Sequence, residues 1–166
     1  MRLLLNTQCK VFKNCTTIVY ETELAIGKKL STEFGEIASE PRLKRIKEKV
    51  SSQQKRKIDE LLKPIKDLFG DNKDNCIAIE TIYAVIVLME EDFKILPSQH
   101  NSTGPSLVLQ QDSKIVLFVN GNAVLTVNCF LLAVKLLLCT FFNLHLKYPS
   151  KARKTLKVLA AVHQID

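Results

Sequence analysis

Motifs for catalysis and for cofactors are what this chain lacks first. It contains no Gly-x-x-x-x-Gly-Lys-Ser/Thr phosphate loop, no Gly-x-Gly-x-x-Gly turn, no Gly-x-Ser-x-Gly elbow and no His-Glu-x-x-His helix. Histidine is scarce, and His100, His145 and His163 lie too far from one another to suggest a zinc site. His145 falls among Leu144, Leu146 and aromatics and reads as a core histidine. The five cysteines (Cys9, Cys15, Cys76, Cys129 and Cys139) form no Cys-x-x-Cys pair, and their odd number leaves one without a mate. Cys76, Cys129 and Cys139 sit in apolar segments, where a thiol behaves as a small hydrophobe. These absences point to a reduced, intracellular protein, nuclear or cytoplasmic, that is not an enzyme and uses no cofactor.

Two further absences concern membranes and export. The opening Met1–Lys10 has one early arginine and three leucines before Asn6, far short of a signal-peptide core. Without export, the glycosylation patterns at Asn14-Cys15-Thr16 and Asn101-Ser102-Thr103 carry no meaning. The most apolar stretch, Cys129–Leu146, is broken at its middle by Lys135. A lysine at mid-bilayer costs about 2.5–3.5 kcal/mol on insertion scales. The stretch therefore reads as a buried or interfacial helix, and a membrane is not expected as a partner.

What is there is organised around Pro105–Pro149. Leu107–Gln111, Lys114–Val119 and Ala123–Val127 read as three strands, with turns at Asp112-Ser113 and Asn120-Gly121. Asn-Gly is the strongest short hairpin signal, because both residues tolerate the positive φ of a type I′ turn. Lys114–Val119 does not alternate, so the meander needs cover, and the helix that follows is the candidate. That helix is apolar nearly all round, although Asn128, Lys135 and Asn143 share one arc with Leu132, Leu136, Cys139 and Leu146. Phe130, Val134, Leu137 and Phe141 would supply an interface with a protein partner or a second copy of the chain.

Upstream, Cys9–Phe12 and Thr16–Tyr20 could form short strands and Glu21–Phe34 a helix weakened by Gly27 and Gly35. Pro41 suits a first helical turn, followed by Leu43, Ile46 and Val50 at helical spacing. Ser51 and Gln54 make a capping box for a second helix, with Pro64 predicting a kink or early break and Gly70 the stop. Between Glu40 and Phe69 ten Lys/Arg face five Asp/Glu, a net +5. Lys44, Arg45, Lys55, Arg56 and Lys57 read as a solvated helix face, as a bipartite nuclear-import signal, or as phosphate contacts for nucleic acid. Asp74 or Asn75 can cap the next segment, Cys76–Phe93, whose eighteen residues favour a helix over a strand. Glu90-Glu91-Asp92 reads as a polar helix end. Ile95–Gly104 reads as a mobile loop. Ser150 can cap a closing helix to about His163, with Leu156 and Leu159 on one side and Lys151, Arg153, Lys154 and Lys157 on the other.

From about Lys57 onward the chain resembles the C-terminal region of a large group of vertebrate proteins of unassigned activity, numerous in fishes. Some members carry a sterile alpha motif domain or zinc fingers upstream, and some look derived from mobile elements. The matching residues are Glu90-Glu91-Asp92-Phe93, Leu107-Val108-Leu109, the Asn120-Gly121 turn, and Asn143-Leu144-His145-Leu146-Lys147-Tyr148-Pro149, with Thr155-Leu156 in the closing helix. The chain departs from the group in lacking a sterile alpha motif domain and in carrying Lys135 within its apolar helix. The resemblance implies a truncated or decayed copy and supplies no catalytic residue.

Together these readings predict an α+β fold. A small antiparallel three-stranded meander packs against apolar helices in residues 57–166, and residues 1–56 form an N-terminal segment ending in a charged helical arm. The function expected is a non-enzymatic protein–protein interaction module, self-associating or with a protein partner. The alternative is a nuclear protein binding nucleic acid through residues 42–57.

Overall fold

The computed structural model describes residues 39–70, 72–97 and 104–162. The strands and helix anticipated within residues 1–38, both glycosylation patterns, Cys9, Cys15, His100 and His163 lie outside the described residues. Helix α1 spans Glu40–Lys49 and α2 spans Ser52–Phe69, with Val50 extended between them. Ser51 and Gln54 form the expected capping box: the Ser51 amide donates to Gln54 Oε1 at 2.9 Å and the Gln54 amide donates to Ser51 Oγ at 3.2 Å. Pro64 does not end α2, which runs on to Phe69. Pro64 and Glu60, whose carbonyl loses its helical donor, are both exposed, so water can satisfy that carbonyl. Gly70 stops the helix at φ 54°, a conformation that glycine adopts without strain.

Helix α3 spans Lys73–Leu88 and is the hub of the helical layer. It packs against α1 and α2 on one side and against the later helix α4 (Phe130–Asn143) on the other. Contact on several sides explains why its sequence is apolar on nearly every face. Ala78, Ile79, Ile82, Tyr83, Ile86 and Val87 are all buried. Its cap is Asn72, whose side chain accepts from the Asn75 amide at 3.1 Å, rather than Asp74 or Asn75. Asn75 is buried and serves a distant helix instead. Its Nδ2 donates to the Asn128 carbonyl at 2.8 Å, and its Oδ1 accepts from the Phe130 amide at 2.9 Å. It thereby caps α4, whose own N-cap residue Cys129 offers no side-chain bond.

Strands β1 (Ser106–Leu109), β2 (Ile115–Val119) and β3 (Asn122–Val127) form an antiparallel sheet in the order β1-β2-β3. Asn120 and Gly121 take φ values of 50° and 78°, as the hairpin signal requires. The β1–β2 turn passes through Asp112 and Ser113 at φ 68° and 59°. There Ser113 Oγ donates to the Leu68 carbonyl at 2.9 Å, tying the hairpin to the last turn of α2. Helix α4 crosses all three strands and sits between the sheet and α3. Leu107, Ile115, Leu117 and Val119 join Phe130, Val134, Leu137 and Leu138 in one core. The architecture is the α+β meander on apolar helices that the sequence predicts.

Two expectations need correction. The division at Arg56/Lys57 falls inside α2, and the arm is not detached. Leu43 and Val50 are buried, α1 lies on α3, and Lys47 pairs with Glu80. The apolar residues at helical spacing in α1 found their partner within the chain. The closing helix α5 covers Arg153–Val162 and is preceded by a 3-10 turn at Ser150–Ala152. No Ser150 side-chain cap forms, because that turn occupies the position and a remote carboxylate takes over the capping.

Candidate functional site

Two helix ends shape a sizeable opening among the described residues. Helix α3 finishes with Glu90 at φ 57°, its amide bonded to the Val87 carbonyl and the Glu91 amide bonded to the Ile86 carbonyl at 3.2 Å. Helix α4 finishes in the same way. His145 stands at φ 50°, and the Leu146 amide donates to the Phe141 carbonyl at 2.9 Å. Both are left-handed helix stops of the kind glycine favours, made here by non-glycine residues. His145 is therefore exposed at a turn and is not a core residue.

Beyond Glu90 the three adjacent carboxylates part company. Glu90 and Asp92 are exposed, and Glu91 is buried. Glu91 Oε1 accepts from the Lys154 amide at 2.7 Å and Oε2 from the Thr155 amide at 2.9 Å, so the carboxylate caps the first turn of α5. Lys154 answers by reaching the Met89 carbonyl with its Nζ at 3.5 Å. Burial pushes the Glu91 pKa up, but hydrogen bonds from Thr155 and Lys154 and the nearby ammonium outweigh it, leaving the carboxyl below its ordinary range. Farther on, Tyr83 Oη accepts from the Leu96 amide at 3.5 Å and holds the chain that leaves α3. Burial pushes the Tyr83 hydroxyl up to about 12 despite that bond.

Between the segment after α3, the start of β1 and the turn after α4 lies an open cleft of about 570 Å³. Its floor is apolar, made by Ile95, Leu107, Leu137 and Phe141, all otherwise buried in the core. Phe141 is held by an edge-on contact with Tyr148, ring centres 5.2 Å apart. Leu146 is 42% exposed, and half-buried Phe93 also lines the cleft. Lys94, Lys147 and Lys151 stand on the rim, all exposed, with Asp92 the only acid among the lining residues described.

Most of the lining residues follow Asp92 in a positively charged part of the sequence. Residues 93–162 carry eight Lys/Arg and a single acid, Asp112. Residues 39–92 balance eleven Lys/Arg with eleven Asp/Glu. Lys44, Arg45, Lys55, Arg56 and Lys57 are exposed, on α1 and α2, away from the cleft. Glu48, Asp59 and Glu60 follow Lys44, Lys55 and Arg56 by one helical turn, the spacing at which opposite charges meet. The densest basic run in the sequence is thus partly compensated, although Glu40–Phe69 keeps its net +5.

Phe130, Val134, Leu137 and Phe141, the expected interface, lie on the buried face of α4, between zero and 4% exposed. None of them forms an exposed surface patch, and only Leu137 and Phe141 show an edge, to the cleft. The outward arc of α4 is the one that Lys135 and Asn143 mark, and there Phe142 is 49% exposed. Cys76 and Cys139 are half-buried as small hydrophobes would be, but Cys129, at the start of α4, is exposed. Among the described residues no group of three or more His, Cys, Asp or Glu could hold a metal ion. None of the described helices is long and apolar enough to cross a membrane. Helix α4, with 14 residues, measures about 21 Å against the ~30 Å of a bilayer core. Comparison with protein-family models, with curated proteins and with solved structures finds no match.

Proposed function

We propose that this protein is a non-enzymatic protein–protein interaction module whose contact site is the cleft beside Leu146. The observation that carries the reading is the pairing of apolar lining residues, exposed Leu146 among them, with three exposed lysines. Floors of this kind take up an apolar side chain, and mobile cations at the rim select what surrounds it. The cleft lies within the size range of sites that hold small ligands or single anchor residues, on the order of 300–1,000 Å³. A peptide-display library panned against the full chain tests the reading. Selected peptides are expected to bind Leu146→Asp about tenfold or more weakly than the wild type, as loss of an anchor contact would require. If no selected peptide distinguishes the two proteins, the cleft is not a recognition site. Self-association through this cleft is read by light scattering: a dimer that Leu146→Asp dissociates would make the partner a second copy.

The exposure of Lys44, Arg45, Lys55, Arg56 and Lys57 supports a second reading, a nuclear protein that contacts nucleic acid through α1 and α2. Its mark would be an affinity for oligonucleotides that falls steeply with salt and is lost on reversal of Lys55, Arg56 and Lys57 to glutamate. Retention of binding in that variant would remove these residues from the contact.

A further inference from the structure

We infer that the partner is an acidic peptide segment that sets one bulky apolar side chain into the cleft. This rests on the interaction reading above and names the chemistry of what is bound. Charge complementarity is the first ground. Three lysines, Lys94, Lys147 and Lys151, line the cleft against one acid, Asp92. Such an excess repels basic segments and favours acidic ones, both in the encounter and in the choice of partner. The second ground is the floor. Leu146, 42% exposed beside the buried Leu107, Leu137 and Phe141, offers hydrocarbon without an ionisable group, so carboxylates stay at the rim and an apolar group gains by packing there.

The same lysines could attract a nucleic acid, and the floor decides against it. Bases bind proteins by stacking on exposed aromatic faces. Phe141 is 4% exposed and pinned edge-on by Tyr148, and the most exposed large apolar side chain of the lining is the aliphatic Leu146, at 42%. A phosphate backbone has no aliphatic anchor to place beside Leu146. A peptide has both parts. In such an interface the anchor carries most of the affinity, while rim charges set the on-rate and the salt dependence.

The test measures binding to the full chain by fluorescence anisotropy with three synthetic peptides and a single-stranded oligonucleotide of equal charge. The first peptide has one leucine between two short runs of aspartate. The second replaces that leucine by serine, and the third replaces the aspartates by asparagines. The first is expected to bind best, with both replacements weakening binding by about tenfold or more. Leu146→Asp and the double variant Lys147→Glu, Lys151→Glu are each expected to weaken it as well. Both variants change exposed side chains, and circular dichroism melting checks that they fold. Added salt should lower the affinity without abolishing it, because the anchor is not screened. If the serine peptide binds equally, or the oligonucleotide binds as tightly with the same sensitivity to Leu146→Asp, the inference is overturned. Equal binding by the asparagine peptide overturns the acidic requirement while leaving the cleft reading intact. Display peptides that depend on Leu146 but carry no acids would have the same meaning, whereas a failed display selection removes both readings.

Discussion

Replacing Glu91 should cost more than its place in a run of three surface-type acids suggests. Its two oxygens receive the Lys154 and Thr155 amides, at 2.7 and 2.9 Å, and the residue is 8% exposed. Hydrogen bonds to a charged group contribute on the order of 1.5–3 kcal/mol each, though two that share one carboxylate do not simply add. A carboxylate at a helix start adds roughly 0.3–1 kcal/mol through the dipole. Thr155 is fully buried, so its amide has no ready access to water once the acceptor is gone. Glu91→Ala is therefore expected to destabilise by about 3 kcal/mol. Glu91→Gln keeps the shape but turns an NH2 group toward one of the two amides, and should cost about 2 kcal/mol. Urea unfolding at pH 7 and again near pH 3 gives the diagnostic. The folded Glu91 pKa lies below its ordinary value of 4.5, so its contribution is complete above that pH. It is lost as the pH falls through the lower, folded value. The gap between wild type and Glu91→Gln should thus narrow in acid. A gap below about 0.5 kcal/mol at neutral pH, or one that is the same at both pH values, would refute the reasoning.

Asn75→Ala removes the donor to the Asn128 carbonyl and the acceptor for the Phe130 amide together, leaving the start of α4 uncapped inside the protein. A loss of about 2–4 kcal/mol is expected in chemical denaturation, against a few tenths for an ordinary surface substitution. Glu90→Gly and His145→Gly work in the opposite direction, because each relieves a left-handed residue at a helix stop. Each should raise stability by up to about 1 kcal/mol, visible as a higher melting temperature, and a decrease would mean that the side chain holds a contact worth more than the strain.

The parts of the fold that were legible are those governed by local rules. The Ser51–Gln54 capping box, the stop at Gly70 and the Asn120-Gly121 hairpin depend on residues within a few positions of one another, and each formed as read. The helix character of the 76–93 stretch followed from its length, although its β-branched residues argued for a strand. What was not legible was long-range. Asn75 looked like a cap for its own helix, and its partners lie more than fifty residues away. Glu91 looked like solvated helix end, and its partners are in the last helix. Neither side chain differs in type from what its position in the chain would suggest; only the tertiary arrangement assigns it work.

The cleft was missed for a different reason, and the signal for it was present. The apolarity of α4 suggests an interface on Phe130, Val134, Leu137 and Phe141, whereas Asn128, Lys135 and Asn143 mark the arc that faces outward. A helix with one polar arc buries the opposite side, so the most apolar residues are the least available ones. Charge misled in a parallel way. The run at 42–57 draws notice because its cations are dense, but acids one turn away offset part of them. A field depends on the net charge, and the net charge of the whole chain, +7, equals the excess found in residues 93–162, where cations are sparse and acids almost missing. Counting the missing acids, rather than the crowded lysines, would have pointed to the half of the molecule that carries the cleft.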